Sequence, residues 1–317
     1  MMHKILLYNS GGGLGDSIQL FTIIVSLKKH FNNSKIYYLG AHKNHFNTGL
    51  KEYELLLENL DLNLKYFGFR FWHYFFVKKN FNKTQVDKFD LILDLQSKLR
   101  NTLILKRIPH KLFYSTTYNY TFSSIKKKSF SDDLIENLSF YFNAKIEKKE
   151  FDIKDLNPKL IEEAKRLLPE KNYVGLSLTQ GNQYRKKSWQ VDNFIELSKQ
   201  LIKRKKRPVF FINENKKLIE SIKNEISEAI FPELNSKLSC PALVTALASR
   251  LEKAISIDNG VMHMISLAKI PMIVLFGPTN SQKFAPKYSG VKVLDSKHIY
   301  KSKNINLISV NDVLKEI

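Results

Sequence analysis

The sequence predicts an α/β protein of two halves, each built around a largely parallel sheet. Three observations carry this. Short apolar runs alternate with helix-period segments along the whole chain. The 317 residues suit about two domains. Several apolar runs end in polar or glycine-rich turns, the places where α/β proteins hold ligands.

Residues 4–9 open the chain as a strand. Ser10-Gly11-Gly12-Gly13-Leu14-Gly15-Asp16 is a turn, and Ser17 to His30 carries apolar residues at helical spacing. Ile36 to Leu39 is a second strand, completing a β-turn-α-β unit. The glycines miss the dinucleotide spacing G-x-G-x-x-G because Asp16 occupies the last place, and no lysine stands where a P-loop needs one. The turn therefore allows close approach to the backbone and ends in an acid, which on its own is a helix cap.

Residues 67–81 are unusually aromatic, with Arg70, Lys78 and Lys79 among the rings. An apolar stripe at helical spacing is expected to pack into its own domain. A membrane interface or a lipid-linked acceptor is the other use of such a segment. Phe89 to Leu95 is a strand, followed by Gln96 to Asn101; Asp90 and Asp94 do not form a D-x-D metal pair. Residues 124–150 are lysine-rich, with a helical stretch near Leu134 to Phe142.

Residues 151–158 read as a linker, dividing the chain into domains 1–155 and 156–317, with the closing helix placed to pack back on the first domain. A helix over 159–168 leads to the strand Tyr173 to Leu178, a polar loop from Thr179 to Ser188, then Trp189. Phe194 to Lys203 is a helix, and Pro208 to Ile212 a strand ending at Asn213-Glu214. Pro241 to Arg250 is a helix, and Leu251 to Ile257 contains the strand that feeds Asp258-Asn259-Gly260-Val261-Met262-His263. Met272 to Phe276 is the next strand. Asp258 or Asn259 caps the intervening helix in the plainest reading.

Composition narrows the function. One cysteine, Cys240, excludes an internal disulfide and a cysteine metal cluster. No apolar run approaches the ~18 residues of a membrane span, and the N-terminus is too short for a signal segment. A cytoplasmic protein is expected. The net charge of +21 attracts polyanions such as nucleic acid, anionic lipid or phosphorylated glycan. Lysine, asparagine and isoleucine are abundant throughout, so compositional drift accounts for the charge equally well.

Several motifs, in order, carry a resemblance. They are Gly13-Leu14-Gly15-Asp16, Asp94-Leu95-Gln96-Ser97, Lys187-Ser188-Trp189 and Asp258-Asn259-Gly260-Val261-Met262-His263. Phe276-Gly277-Pro278-Thr279, Phe284-Ala285-Pro286 and Ile308 to Leu314 follow. Each is weak alone. Together, over nearly the whole chain, they resemble glycosyltransferase family nine, the bacterial heptosyltransferases. The resemblance implies a GT-B fold: α/β, two Rossmann-like domains facing across a cleft. It implies an inverting, metal-independent transfer of a sugar, with ADP-heptose as the expected co-substrate and no cofactor. The acceptor would be lipopolysaccharide core or a related lipid-linked surface glycan. Peripheral contact with an anionic membrane, at the inner face of the inner membrane, is compatible with this; nucleic acid is not an expected partner.

The resemblance also implies roles. Asp16 is the catalytic base, taking a proton from the acceptor hydroxyl. Gly13 and Gly15 let the acceptor approach, and Lys98 and Arg100 face its anionic groups, if they are not simply solvated charges. Thr179 and Gln180 form a polar pair at the donor site. Lys187 offsets the charge of the leaving diphosphate, with the adjacent Arg185 and Lys186 as the alternatives for that place. Glu214 binds ribose hydroxyls unless it is only a surface charge. Asp258 binds hydroxyls of the donor sugar, Gly260 offers backbone N–H to the diphosphate, and His263 adds a donor. Asn259 stands where the family has Ser or Thr, which leaves the sugar open. Another nucleotide sugar for surface polysaccharide is the nearest alternative. A non-catalytic GT-B module binding anionic glycan or nucleic acid is the alternative from outside enzymes.

Overall fold

The computed structural model describes residues 3–40, 44–62, 69–96, 98–115, 130–179, 187–212 and 214–317. The chain divides into two units, Met1–Phe151 and Asp152–Ile317. The division falls four residues before the expected 155/156 boundary. Phe151 is the reason: it is buried, edge-on to Phe21 at 5.6 Å and to Tyr53 at 5.5 Å in the first unit.

The first unit runs β1 (Lys4–Asn9), α1 (Leu14–Ile18), α2 (Phe21–His30), β2 (Lys35–Gly40), β3 (Glu58–Asn59), α3 (His73–Phe81), β4 (Phe89–Asp94), α4 (Leu99–Leu105), β5 (His110–Ser115) and α5 (Phe130–Phe142). Its sheet has the order β3-β2-β1-β4-β5, and every pairing is parallel. The central strands are continuous apolar runs because helices cover both faces: Ile5, Leu6, Leu7 and Tyr8 are fully buried, as are Leu91, Ile92 and Leu93.

The helix expected over Ser17 to His30 is two helices. It breaks at Gln19-Leu20, where Leu20 N–H bonds back three residues to Ser17. The short α1 is thereby a separate turn, aimed independently of the helix behind it.

The aromatic segment is half core. Residues 67 and 68 lie outside the described residues. Phe69 stacks on Tyr8 at 5.0 Å. His73, Val77 and Phe81, spaced at i, i+4 and i+8, are the buried stripe of α3. The other rings of the segment are exposed.

The second unit runs α6 (Pro158–Leu167), β6 (Tyr173–Ser177), α7 (Val191–Lys203), β7 (Arg207–Phe210), α8 (Lys216–Glu225), α9 (Pro241–Ala248), β8 (Lys253–Ile257), α10 (Gly260–Ser266), β9 (Met272–Phe276), α11 (Ser281–Phe284), β10 (Val291–Asp295), α12 (Ser296–Ile299) and α13 (Val310–Leu314). Its parallel sheet has the order β10-β9-β8-β6-β7. The closing α13 seats Val313 in this unit's own core, beside residues of α7, β6 and β8. Trp189 is buried in the same core. Its indole donates to the Ile308 carbonyl at 2.8 Å and meets Phe194 edge-on at 4.9 Å.

Glu233, in a 3-10 turn over Pro232–Asn235, is buried. Burial raises its carboxyl from 4.5 to about 7, with Ser239 partly opposing. The folded chain therefore holds this proton more tightly than the unfolded chain. The stabilisation is complete below pH 4.5, falls as pH rises from 4.5 to about 7, and is gone above that. Urea denaturation of Glu233→Gln beside the wild type should show it. Across that window the wild type loses about 3 kcal/mol relative to the variant.

Candidate functional site

Each sheet has one place where neighbouring strands send their connections in opposite directions along the sheet. In the first unit it lies between β1 and β4; in the second, between β6 and β8. Helices on opposite faces leave a crevice at the carboxyl ends of such a pair. The polar motifs of the sequence lie at these two places.

At the end of β1, Asn9 and Ser10 are tied to Gln96 beyond β4. Gln96 Nε2 donates to Asn9 Oδ1 at 2.7 Å, and Ser10 Oγ donates to Gln96 Oε1 at 2.9 Å. Asn9 Oδ1 also accepts from Gly11 N–H at 3.0 Å, which starts the glycine turn. Asp94 holds the β4 end. Its carboxylate accepts from Thr102 Oγ1 at 2.5 Å, Ser115 Oγ at 3.0 Å and Gln96 N–H at 3.0 Å. Burial raises the Asp94 carboxyl above its ordinary value, and these three donors pull the other way.

Asp16 stands at the third position of α1, exposed, with its carboxylate accepting from Gly13 N–H at 3.2 Å. The capping role read from sequence is thus real, and it occupies one face of the carboxylate. Gly11 has to be glycine: a Cβ there would lie 2.7 Å from Asp16 Cβ. His45 Nε2 lies 3.1 Å from the Gly12 carbonyl and fixes the far side of the turn. Gly13 and Gly15 also accept within the helix, from Ser17 and Gln19 N–H.

Lys98 caps α4 and is exposed. Arg100 is half-buried, and its Nε has no hydrogen-bond partner among the described residues. Its charge reaches the core: burial first, then Arg70 and Arg100, push the His73 imidazole below its ordinary value.

In the second unit the ends of β6 and β8 are joined by Asn259. Its Nδ2 donates to Ser177 Oγ and to the Thr179 carbonyl, both at 2.8 Å. Its Oδ1 accepts from Met262 N–H at 2.7 Å, capping α10. The side chain is buried and both ends of the amide are committed. Asn259 therefore serves the fold at this position. An amide bridges two strands and a helix where a single hydroxyl could not reach all three partners.

Asp258 is buried beside it, and its carboxylate pairs with Lys187 Nζ at 2.5 Å. The pair is shielded: the side chains are 15% and 7% exposed for Lys187 and Asp258. Lys187 reaches this point because Trp189, two residues on, is pinned in the core. An ammonium and a carboxylate so placed suit a ligand carrying both anionic and hydroxyl groups. A phosphate oxygen competes for the lysine, and hydroxyls donate to the carboxylate. Gly260 opens α10, and His263 lies buried on it, one turn in. Thr179 is half-buried at the end of β6.

Glu214 is exposed beyond β7, one strand removed from the β6–β8 crevice. Gln180, Arg185, Lys186, Asn213 and Ser97 lie outside the described residues. The residues that sequence reasoning missed are Asn9, Ser10 and His45. Asn9 and Ser10 were visible as polar residues ending an apolar run, but His45 carries no local signal. Among the described residues no group of three or more His, Cys, Asp or Glu could hold a metal ion.

Asn259→Ala removes the α10 cap and two further bonds between buried groups. It should cost about 2–3 kcal/mol in chemical denaturation, and Asn259→Ser, which keeps a capping oxygen, about 1 kcal/mol less.

Comparison with known proteins gives this geometry a family. A structure from Veillonella parvula described as a glycosyl transferase of family 9 aligns over 99% of this chain and 96% of its own, at a TM-score of 0.70 and 16% identity. Escherichia coli heptosyltransferase WaaC, solved with ADP-2-deoxy-2-fluoro heptose, aligns over 98% of both chains at 0.66 and 13% identity. Escherichia coli ADP-heptose lps heptosyltransferase II aligns over 99% of this chain and 97% of its own, at 0.63 and 14% identity. At these identities the likeness is one of fold, and the fold is GT-B. A search of curated proteins by sequence returns no match. The sequence model described as "Glycosyltransferase family 9 (heptosyltransferase)" matches residues 79–313, and this chain belongs to that family of glycosyltransferases.

Proposed function

We propose that this glycosyltransferase moves a heptose from ADP-heptose to a lipid-linked glycan acceptor, lipopolysaccharide core or a close relative, in one inverting displacement. The observation that carries the reading is the shielded Lys187–Asp258 pair at the β6–β8 crevice, in a chain of this family. In this reading Lys187 turns from the carboxylate to the diphosphate and offsets the charge that grows there as the sugar leaves. Asp258, released, accepts from hydroxyls of the sugar. Gly260 supplies a backbone N–H at the start of α10. Thr179, Gln180, Glu214 and His263 complete the donor site, Glu214 toward ribose from one strand away. The side chain of Asn259 takes no part, because its amide is spent on Ser177, Thr179 and Met262. Its difference from the family's hydroxyl therefore does not count against heptose.

In the first unit Asp16 takes the proton from the acceptor hydroxyl as that oxygen attacks the anomeric carbon. Gly13 N–H holds one carboxylate oxygen and leaves the other for the substrate. Gly11 and Gly15 keep the turn thin enough for a sugar to reach it. Lys98 and Arg100 face phosphate or carboxylate groups of the acceptor. The reaction needs no metal and no cofactor in this account, since lysine and backbone donors carry the leaving-group charge.

Asp16→Asn preserves shape and removes basicity. With ADP-heptose and a lipopolysaccharide-core acceptor, turnover should fall at least about 10³-fold. Calorimetric affinity for ADP should stay at the wild-type value. Wild-type turnover in this variant would remove the assignment of the base.

A further inference from the structure

We infer that the outer face of α3 is a docking surface for an anionic lipid bilayer. Half of the aromatic segment is left outside the core. Phe71 is 75% exposed and Phe75 71%, with Phe76, Trp72 and Tyr74 also open to solvent. The buried stripe His73-Val77-Phe81 fixes the orientation of the helix, so Tyr74, Phe75 and Phe76 face outward by geometry, and Phe71 and Trp72 are exposed in the turn that leads into it. On the neighbouring α4, Leu99 and Leu103 are exposed as well, one turn apart. Three outward rings on a helix that already has an apolar face, with Phe71 and Trp72 exposed just before it, serve no folding purpose.

The charge around the rings selects the partner. From Asp61 to Asp87 the chain carries Lys65, Arg70, Lys78, Lys79 and Lys83 and not one acid between them. Lys78 and Lys79 follow the rings on the outer side of α3, both exposed. Arg107 lies over the ring of Tyr74 at 4.6 Å, adding a cation at the rim. Rings that enter the headgroup region beside lysines that meet lipid phosphates are the pattern of an interfacial helix. A protein-binding face favours rings and arginine but is poor in lysine. Among the described residues no helix is long and apolar enough to cross a membrane, so the contact would be peripheral. The inference goes beyond the proposed reaction and does not depend on which sugar is moved.

Vesicles without any glycan acceptor separate this question from catalysis. The full chain should co-sediment with vesicles of phosphatidylglycerol and phosphatidylethanolamine and ignore phosphatidylcholine. The partition should drop several-fold between about 0.05 and 0.5 M salt. Trp72 reports the contact: the second tryptophan, Trp189, is buried, so a blue shift of emission on binding comes from Trp72. The double variant Phe71→Ser, Phe75→Ser alters exposed positions only, and its circular dichroism and melting should match wild type. Its partition should fall about tenfold or more. The inference is overturned if wild type does not bind anionic vesicles at low salt, or if the double variant binds equally. It is also overturned if wild type instead forms a dimer that the double variant loses, because the face would then be covered by a second copy.

Discussion

Parallel strands that send their connections to opposite faces leave polar backbone uncovered at their ends, and Asn259 closes that gap in the second unit. One amide holds the end of β6 through Ser177 and Thr179 and the start of α10 through Met262. The neighbouring Asp258 inherits a fixed position from it. Lys187 is fixed from the other side by the buried indole of Trp189. The ion pair is therefore held by two separate anchors, neither of which includes a charge. In the proposed mechanism the lysine changes partners while its surroundings stay in place. Loss of either charge alone would leave the other buried and uncompensated.

The first unit solves the same problem with neutral groups. Gln96 spans the gap between β1 and β4 by bonding Asn9 and Ser10. Asn9 in turn holds the glycine turn, and the absence of a side chain at Gly11 brings Asp16 against it. Asp94, the buried acid of this region, is occupied by two hydroxyls and an amide and belongs to the scaffold. The two acids that matter to the proposed chemistry, Asp16 and Asp258, differ in setting. Asp16 is open and lightly bonded, as a base must be to reach its substrate. Asp258 is enclosed and paired, as suits a group whose task is recognition.

The central strands were legible because strands buried on both faces are unbroken apolar runs. β3, β5 and β10 were not. In His110–Ser115 and Val291–Asp295 lysines interrupt the apolar residues, since sheet edges meet solvent on one side. That Asp16 opens the helix after β1, that Lys187 precedes Trp189 and that Asp258 follows β8 could be read from the motifs. Two things could not. The sequence places Asn259 in a ligand-binding motif, and only the geometry reveals that its amide is consumed by the fold. The ion pair between Lys187 and Asp258 spans 71 residues, beyond any local pattern. The aromatic segment shows a similar limit. Spacing reveals that one face of α3 is core, but more rings are present than one face can bury.

In the proposed mechanism Lys187 is held by Asp258 until a diphosphate claims it. Titrating ADP into Asp258→Asn tests this most directly. ADP has no sugar for Asp258 to hold, so the variant loses no contact with ADP and loses the competitor for Lys187. ADP should bind at least as tightly as to wild type, and up to about tenfold tighter. Weaker binding of ADP to Asp258→Asn, measured at a temperature where circular dichroism shows the variant folded, would contradict the exchange.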